Sequence, residues 1–175
     1  IYDSTTTSSR WNQIGGNISI DGNDINFGFS VSLNNSGDRI AIGSYGMFAV
    51  CDYNNSSWNQ IHLESSNTVY TLGQYVELSG NVYKFGQYVE LSSNGNILAV
   101  SSHTADTVYI YSSNFQNKST IRADELGLGQ EYFGFGMSLS YDGNTIAIGA
   151  IRADTNALTD NGIVNVYDYD YDYAS

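Results

Sequence analysis

An all-β fold built from a repeated four-stranded unit is predicted by three features of this sequence. A stretch of eighteen residues occurs three times without a gap, at 27–44, 85–102 and 133–150. Each copy begins Phe-Gly, alternates large apolar with small or polar residues, turns at a glycine and ends in a short apolar run. Proline is absent. Because such a repeat of roughly 50 residues is typical of propellers and other arrays, the sequence predicts β-propeller-type blades of four antiparallel strands.

The first half of each copy has the alternation of a strand with one buried face. In the first copy, an extended chain would place Val31 and Leu33 on one face and Ser30 and Ser32 on the other. We therefore expect the large side chains to form the core. The expected core residues are Phe27, Val31, Leu33, Ile40, Ile42, Val89, Leu91, Leu98, Val100, Met137, Leu139, Ile146 and Ile148.

The second half of each copy turns at a glycine and returns through a short apolar strand. Asn94-Gly95 and Asp142-Gly143 are strong hairpin signals, since glycine adopts a positive φ without steric cost. The return runs, such as 97–100 and 146–149, are nearly all apolar. This pattern predicts strands buried on both faces.

The remaining strands divide the chain into three repeats of one domain, 1–175. In the first repeat the strands are predicted at 28–33, 39–44, 48–53 and 58–62, and the repeats run over approximately 11–62, 63–121 and 122–175. The third repeat lacks a fourth strand. A short strand predicted at Trp11–Ile14, which matches Trp58–Ile61, lacks the other three.

A second, local duplication lies between the first two repeats. Residues 70–80 match residues 83–93 at an offset of thirteen, within the duplicated region 70–93. The extra copy is either an additional edge strand or a competitor for the register of its neighbour.

Composition limits the classes of partner. The net charge of −12 argues against nucleic acid, whose phosphates require a basic surface. No run approaches the ~20 apolar residues of a membrane span, so membrane insertion is not expected. The single cysteine, Cys51, lies in an apolar strand and is expected to pack.

No catalytic constellation is visible, and we expect a protein that is not an enzyme. His62 and His103 are the only histidines, and neither has a serine or metal-ligand spacing around it. The carboxylates available for acid–base chemistry are Asp24, Glu77, Glu90, Asp106 and Asp124. Glu77 and Glu90 are copies of one position in the duplicated strand, which makes a catalytic pair less plausible still.

Two other kinds of site can be considered on surface loops. Asp21–Asp24 and the pair Asp154 and Asp160 could give oxygen ligands to weakly bound calcium, although such residues are also the common turn formers. No other cofactor is expected. Glycosylation acceptor motifs, in a number no greater than chance, occur at Asn17, Asn34, Asn54, Asn55 and Asn117.

The motifs resemble those of FG-GAP-type repeats. The similarity lies in Trp11, Gln13 and Gly15, in Phe27-Gly28, and in the Ser-Val-Ser-Leu and Ala-Ile-Gly runs that follow. These repeats form the blades of integrin α-subunit propellers and of many extracellular microbial and viral proteins. The resemblance implies a propeller at the outside of a cell or virion, with partners bound by loops on one rim. Some members hold calcium in an Asp-rich loop, but the matching segment 34–38 has few carboxylates.

The function predicted is that of a non-catalytic structural module, extracellular or on a cell or virion surface, that self-assembles through blade strands into a ring or filament. An unpaired strand edge can pair with another chain. The Trp11–Ile14 strand would close on the third repeat of its own chain or of the next copy. The residues expected at this contact are Trp11, Gln13, Ile14, Val164, Val166 and Tyr167. The alternatives are a recognition module that binds glycan or protein through rim loops and, more distantly, a propeller glycosidase or lyase.

Overall fold

The computed structural model describes residues 11–20, 26–65, 85–102, 105–124, 132–154 and 158–169. In this part of the chain, all the elements are β-strands, as predicted. The strands are β1 Ser30–Leu33, β2 Arg39–Gly43, β3 Met47–Asn54, β4 Ser57–Ser65, β5 Phe85–Leu91, β6 Leu98–Ser102, β7 Thr107–Tyr111, β8 Lys118–Arg122, β9 Phe133–Leu139, β10 Thr145–Ala150 and β11 Ile163–Asp168.

The strands form three antiparallel sheets in simple meander order. Blade 1 is β1-β2-β3-β4, blade 2 is β5-β6-β7-β8 and blade 3 is β9-β10-β11. The all-β, propeller-type fold is therefore confirmed, and the four strands predicted at 28–33, 39–44, 48–53 and 58–62 are all present. Blade 3 has three strands among the described residues. The three sheets do not close into a ring within the described chain.

The first two strands of each blade create two faces of different character. In blade 1, the cross-strand partners Val31 and Ile42 lie on one face, and Ser32 and Ala41 lie on the other. We call the first the large face and the second the small face. The large faces comprise Val31, Leu33, Ile40 and Ile42 in blade 1, Val89, Leu91, Leu98 and Val100 in blade 2, and Met137, Leu139, Ile146 and Ile148 in blade 3.

The blades stack with the large face of one on the small face of the one before it. Leu91 and Leu98 of blade 2 share a core cluster with Ala41 of blade 1. Ile146 and Ile148 of blade 3 share a second cluster with Ala99 of blade 2, and Ala99 lies on the small face of that blade. The stack therefore has a direction, and each end presents a different face.

In blade 1 the burial predicted for the large face is correct for Ile42 and wrong for Val31 and Leu33. Val31 is 61% exposed and Leu33 is 54% exposed. The small side chains Ser30 and Ser32, which point towards blade 2, are the partly buried ones. The parity of the strand was predicted correctly, but no preceding blade covers its large face. Phe27, Ile40, Met137 and Leu139 are half-buried, and the other expected core residues are buried.

The short strand predicted at Trp11–Ile14 is also absent. These residues are irregular, and Trp11 is fully exposed. The carbonyl of Ile14 accepts a hydrogen bond of 3.2 Å from the indole N–H of Trp58. The segment thus lies beside the edge strand β4 of blade 1 without joining its ladder. Of the two closures left open by the sequence, pairing with the last strand of the same chain is not seen among the described residues, and pairing with a second copy stays a prediction.

Return strands differ in burial according to their place in the stack. All five residues of β6 are buried, because blade 2 has a neighbour on both sides. In β10 burial alternates, because blade 3 is covered on one side only. Cys51 is buried, and this burial raises the pKa of its thiol, in agreement with a packing role. Residues 70–80 of the local duplication lie outside the described part of the chain.

Candidate functional site

The exposed large face of blade 1, which we call the outer large face, is the first candidate surface. It consists of Val31 and Leu33, which are exposed, Ile40, which is half-buried, and Ile42, which is buried. Residues 13–18 pass over it without packing closely, and a cavity of about 560 Å³ remains between them. Apolar side chains that are open to solvent in this way commonly mark interaction sites.

The exposed small face of blade 3, which we call the outer small face, lies at the opposite end of the stack. It carries Ser138, Ala147 and Gly149, and continues onto β11 through Val164 and Val166. Val164 is 71% exposed and Val166 is 67% exposed.

The six residues predicted to mediate assembly are thus divided between the two ends. Gln13 and Ile14 line the cavity at the blade 1 end, where Trp11 is exposed to solvent. Val164 and Val166 belong to the outer small face, whereas the half-buried Tyr167 points inward towards blade 2. The structure does not bring the two groups together within one chain.

Hydrogen bonds to backbone N–H groups join each blade to the next along the inner strands. The Ser30 hydroxyl accepts from the Val89 N–H at 3.1 Å, and the Ser32 hydroxyl accepts from the Leu91 N–H at 2.9 Å. At the next joint the Glu90 carboxylate accepts from the backbone N–H of Leu139. Position 32 and its counterpart at 90 therefore play the same part at successive joints.

Charged side chains join blades 1 and 2 further out. The Arg39 guanidinium pairs with both oxygens of Asp52, at 2.6 and 2.8 Å, and donates to the Gly95 carbonyl at 2.9 Å. The Lys118 ammonium lies 2.8 Å from the Glu64 carboxylate. Two of the six Lys and Arg residues of the chain thus form contacts between blades 1 and 2.

His62 is part of this joint. It lies within β4, and its ring centroid is 5.4 Å from that of Phe48 and 5.7 Å from that of Phe115. This surrounding agrees with the packing role expected from the sequence. His103, Asp24 and Glu77 lie outside the described residues.

Two of the carboxylates considered for acid–base chemistry, Glu90 and Asp106, hold blades together. Asp106 accepts a hydrogen bond of 3.2 Å from the Phe133 N–H, which links blade 2 to blade 3. Glu90 also accepts from the Ser32 hydroxyl at 3.3 Å. Burial raises the pKa of both groups above their ordinary values. Raised carboxyl pKa values also occur at active sites, but here each group has a structural partner.

Replacing Glu90 by glutamine should raise the melting temperature at pH 7. Burial raises the folded-state pKa of Glu90, so its contribution to stability is full below the unfolded pKa and is lost as pH rises through the folded pKa. Glutamine keeps an acceptor oxygen without the charge. Thermal unfolding from pH 4 to pH 7 should show a gain that shrinks as the pH falls. Glu64→Gln is the control, because it breaks the pair with Lys118 and should give no gain; a lower melting temperature for Glu90→Gln at pH 7 would contradict the prediction.

The glycine turns use their polar side chains within the turn. The Ser140 hydroxyl donates to Asp142 at 2.7 Å, and Asp142 accepts from the Asn144 N–H at 3.1 Å. These hydrogen bonds lower the pKa of the Asp142 carboxyl. The same geometry occurs at Ser92 and Asn94. These are the hydrogen bonds by which Ser, Asp and Asn side chains commonly stabilise turns.

The described residues lack a cluster of metal-ligating side chains. No group of three or more His, Cys, Asp or Glu side chains that could hold a metal ion occurs there. Asp154 accepts a hydrogen bond of 2.8 Å from the Asp160 N–H, whereas Asp21–Asp24 lies outside the described part.

The glycosylation motifs differ in how available their asparagines are. Asn17, Asn54, Asn55 and Asn117 are exposed. The Asn34 side chain is engaged in its turn, since it donates to Asp38 at 2.7 Å and accepts from the N–H groups of residues 38 and 39. A glycan at Asn34 would disrupt that turn.

A row of aromatic side chains crosses all three blades, and the sequence analysis missed it. The ring centroid of Phe29 is 5.2 Å from that of Tyr45 and 5.6 Å from that of Tyr88, and Tyr88 is 4.8 Å from Phe135. Tyr132 continues the row, with its ring centroid 6.5 Å from that of Phe135. Phe29 and Phe135 occupy the same position of the repeat, and this recurrence could have revealed the row.

Comparison with known proteins gives structural similarity only. No protein-family model matches the chain, and no curated protein matches its sequence. The β-propeller domain of Myceliophteria thermophila Swd1 aligns at 14% identity and a TM-score of 0.49 over 82% of this chain and 40% of that one. Saccharomyces cerevisiae Sqt1 aligns at 10% identity and a TM-score of 0.47, over 81% and 35%. Kluyveromyces lactis Hsv2p aligns at 16% and 0.38, over 86% and 50%.

The chain thus spans half or less of the length of these structures. The values are too low for any inference about function. Among the described residues, no helix has the length and apolar character needed to cross a membrane.

Proposed function

We propose that this chain is a non-catalytic structural module of an extracellular or surface protein, similar to FG-GAP-type repeats, that associates with further copies of itself. The observation that carries the proposal is the outer large face. Val31 and Leu33 are exposed there, whereas their counterparts Val89 and Leu91 in blade 2 are 6% and 3% exposed.

Covering this face would be favourable. Burial of an exposed valine or leucine side chain contributes about 1.5–3 kcal/mol. Two such side chains, with the half-buried Ile40 beside them, form an apolar patch on a protein that is otherwise rich in polar and acidic groups. A contiguous patch of this kind is a recurring feature of protein interfaces.

The net charge opposes association. Two copies that each carry −12 repel one another, and salt screens that repulsion over about 10 Å at 0.1 M. Association should therefore be weakest in dilute buffer and strengthen as salt is added.

Sedimentation of the purified chain over a range of concentrations tests the proposal. We expect a mass above the 19.1 kDa of one chain, with association favoured by high concentration and by 0.5 M compared with 0.05 M sodium chloride. The salt series also serves as the control. Association through apolar contacts between acidic chains should strengthen with salt, whereas association through ion pairs should weaken. A compact monomer at high concentration in both buffers would overturn self-association.

A second candidate function is supported by the aromatic row. Phe29 and Phe135 are 42% and 38% exposed, and aromatic side chains of this kind are enriched where proteins bind partners. A recognition module for glycan or protein is the function we would assign if the chain proves to be monomeric.

A further inference from the structure

We propose that the outer large face of blade 1 binds the outer small face of blade 3 in a second copy, and that two copies close into a six-bladed ring. This inference rests on the self-association proposed above and specifies its partner and geometry. The outer large face belongs to Val31, Leu33, Ile40 and Ile42, and the outer small face to Ser138, Ala147, Gly149, Val164 and Val166.

The direction of the stack supplies the first argument. Both joints within the chain place a large face on a small face, around Ala41 at the first joint and Ala99 at the second. Ala147 is the counterpart of these two alanines in blade 3, and it lies on the outer small face. Among the described residues, one large face and one small face therefore lack a neighbouring blade, and the two joints within the chain show that a large face packs on a small face.

The Phe-Gly glycines supply the second argument. A methyl group on Gly86 would overlap the Met47 carbonyl of blade 1, and one on Gly134 would lie 2.8 Å from Val108 and 3.0 Å from Ser101 of blade 2. The preceding blade thus approaches each glycine closely. Gly28, their counterpart in blade 1, has nothing within 4 Å of that point. Gly28 has a positive φ like Gly86 and Gly134, but no blade of the described chain packs against it.

Hydrogen bonding along the inner strands supplies the third argument. The Asn34 N–H donates to the Arg39 carbonyl, so the alternation of the antiparallel ladder turns the Leu33 N–H away from β2. The counterparts of this group, at Leu91 and Leu139, donate to Ser32 and Glu90 of the preceding blade. Ser138 occupies the equivalent acceptor position in blade 3 and is exposed. The proposed joint pairs the Ser138 hydroxyl with the Leu33 N–H of the second copy.

Burial at equivalent positions supplies the fourth argument. Val108 of blade 2 is fully buried against blade 3, whereas Val164, its counterpart in blade 3, is 71% exposed. Leu91 is 3% exposed, whereas Leu33 is 54% exposed. Each end of the stack thus leaves exposed a side chain that an internal joint buries.

The number of blades determines the size of the ring. Head-to-tail contacts form a ring when the rotation closes, and propellers typically contain 4–8 blades. Three blades in each copy give six for two copies, with two identical joints. Residues 13–18 lie over the outer large face and leave a cavity there, so the approaching blade would displace a loosely packed segment.

Complementation between two variants tests this geometry. Leu33→Lys alters only the outer large face, and Val164→Lys alters only the outer small face. Both side chains are exposed, and both changes reduce the magnitude of the net charge of −12, so added repulsion cannot explain a loss of association. We expect the wild-type chain to sediment at twice 19.1 kDa and each variant alone to sediment as a monomer.

An equal mixture of the two variants decides the matter. Each variant keeps the face that the other has lost, so the mixture should form a dimer through one intact joint. Melting curves should first show that both variants are folded, and Val31→Lys, at 61% exposed, replaces Leu33→Lys if that variant is not.

The contrary outcomes are distinct. If both variants dimerise as the wild type does, self-association stands but these faces are not its site. If the mixture stays monomeric, the two faces do not bind one another. A wild-type mass well above two chains overturns the six-bladed ring, and a monomeric wild type overturns self-association itself.

Discussion

Replacing Phe48 by alanine should lower the free energy of unfolding by about 3–5 kcal/mol. Phe48 is fully buried at the joint between blades 1 and 2, where its ring centroid lies 5.0 Å from that of Tyr111 and 6.0 Å from that of Phe85. Alanine would leave a cavity bordered by both sheets, and neither sheet can move into it without breaking its ladder. Urea unfolding followed by circular dichroism measures the loss.

Phe29→Ala is the matched control for this change. It removes the same side chain from a position that is 42% exposed, and it should cost less than about 1.5 kcal/mol. Both variants should keep the dependence on urea of the wild type, which shows that the unfolded state is unchanged. Equal losses at the two positions would mean that the joint contributes no more than the surface.

Replacing Gly86 by alanine should destabilise the chain by about 2–5 kcal/mol. Gly86 has a φ of 81°, a conformation that costs an alanine about 1–2 kcal/mol. The methyl group would also overlap the Met47 backbone of the neighbouring blade, and overpacking of that kind costs about 1–3 kcal/mol. Relief is difficult, because the Gly86 carbonyl also accepts from the Ser44 N–H at 3.1 Å.

Gly28→Ala separates the two causes. Gly28 has a φ of 90° but no atom near the added methyl group, so it should show the backbone cost of about 1–2 kcal/mol alone. The measurement is made at a protein concentration low enough for the chain to be monomeric. A loss at Gly28 as large as that at Gly86 would show that the blade joint plays no part.

The strands of all three blades could be predicted because their signals are local. Alternation within 27–33 and a glycine turn at Gly37 suffice to specify the first hairpin, and the other copies repeat both features. The side chains that share a face were also predicted correctly, since parity depends only on the extended chain.

Burial could not be predicted in the same way, because it depends on what lies next to the sheet. Leu33 and Leu91 have the same position in the repeat and both follow a Val-x pair, yet one is exposed and the other is buried. The difference is that blade 2 follows another blade and blade 1 does not. The strand predicted at Trp11–Ile14 is absent for a similar reason. The sequence of a segment gives its β propensity, but it does not show whether the segment will pair with the edge of a neighbouring sheet.

The same limit applies to the residues of the candidate site, because contacts between blades are not visible in the sequence of a single repeat. Glu90 and Asp106 were identified as carboxylates of interest, but their role in joining blades required the position of the next sheet. The aromatic row was missed because its members come from different copies of the repeat. A comparison of Phe29 with Phe135 across copies would have suggested it.

The directional stack has a consequence for how such a chain can change in length. Each blade packs its large face on the blade before it and presents its small face to the blade after it. Duplication or loss of one whole repeat in the gene would therefore leave both terminal surfaces as they are, and would create no contact of a new type. The local duplication at 70–93 shows that segments of this chain do multiply. The number of repeats can thus change in evolution while the stack keeps a large face at one end and a small face at the other.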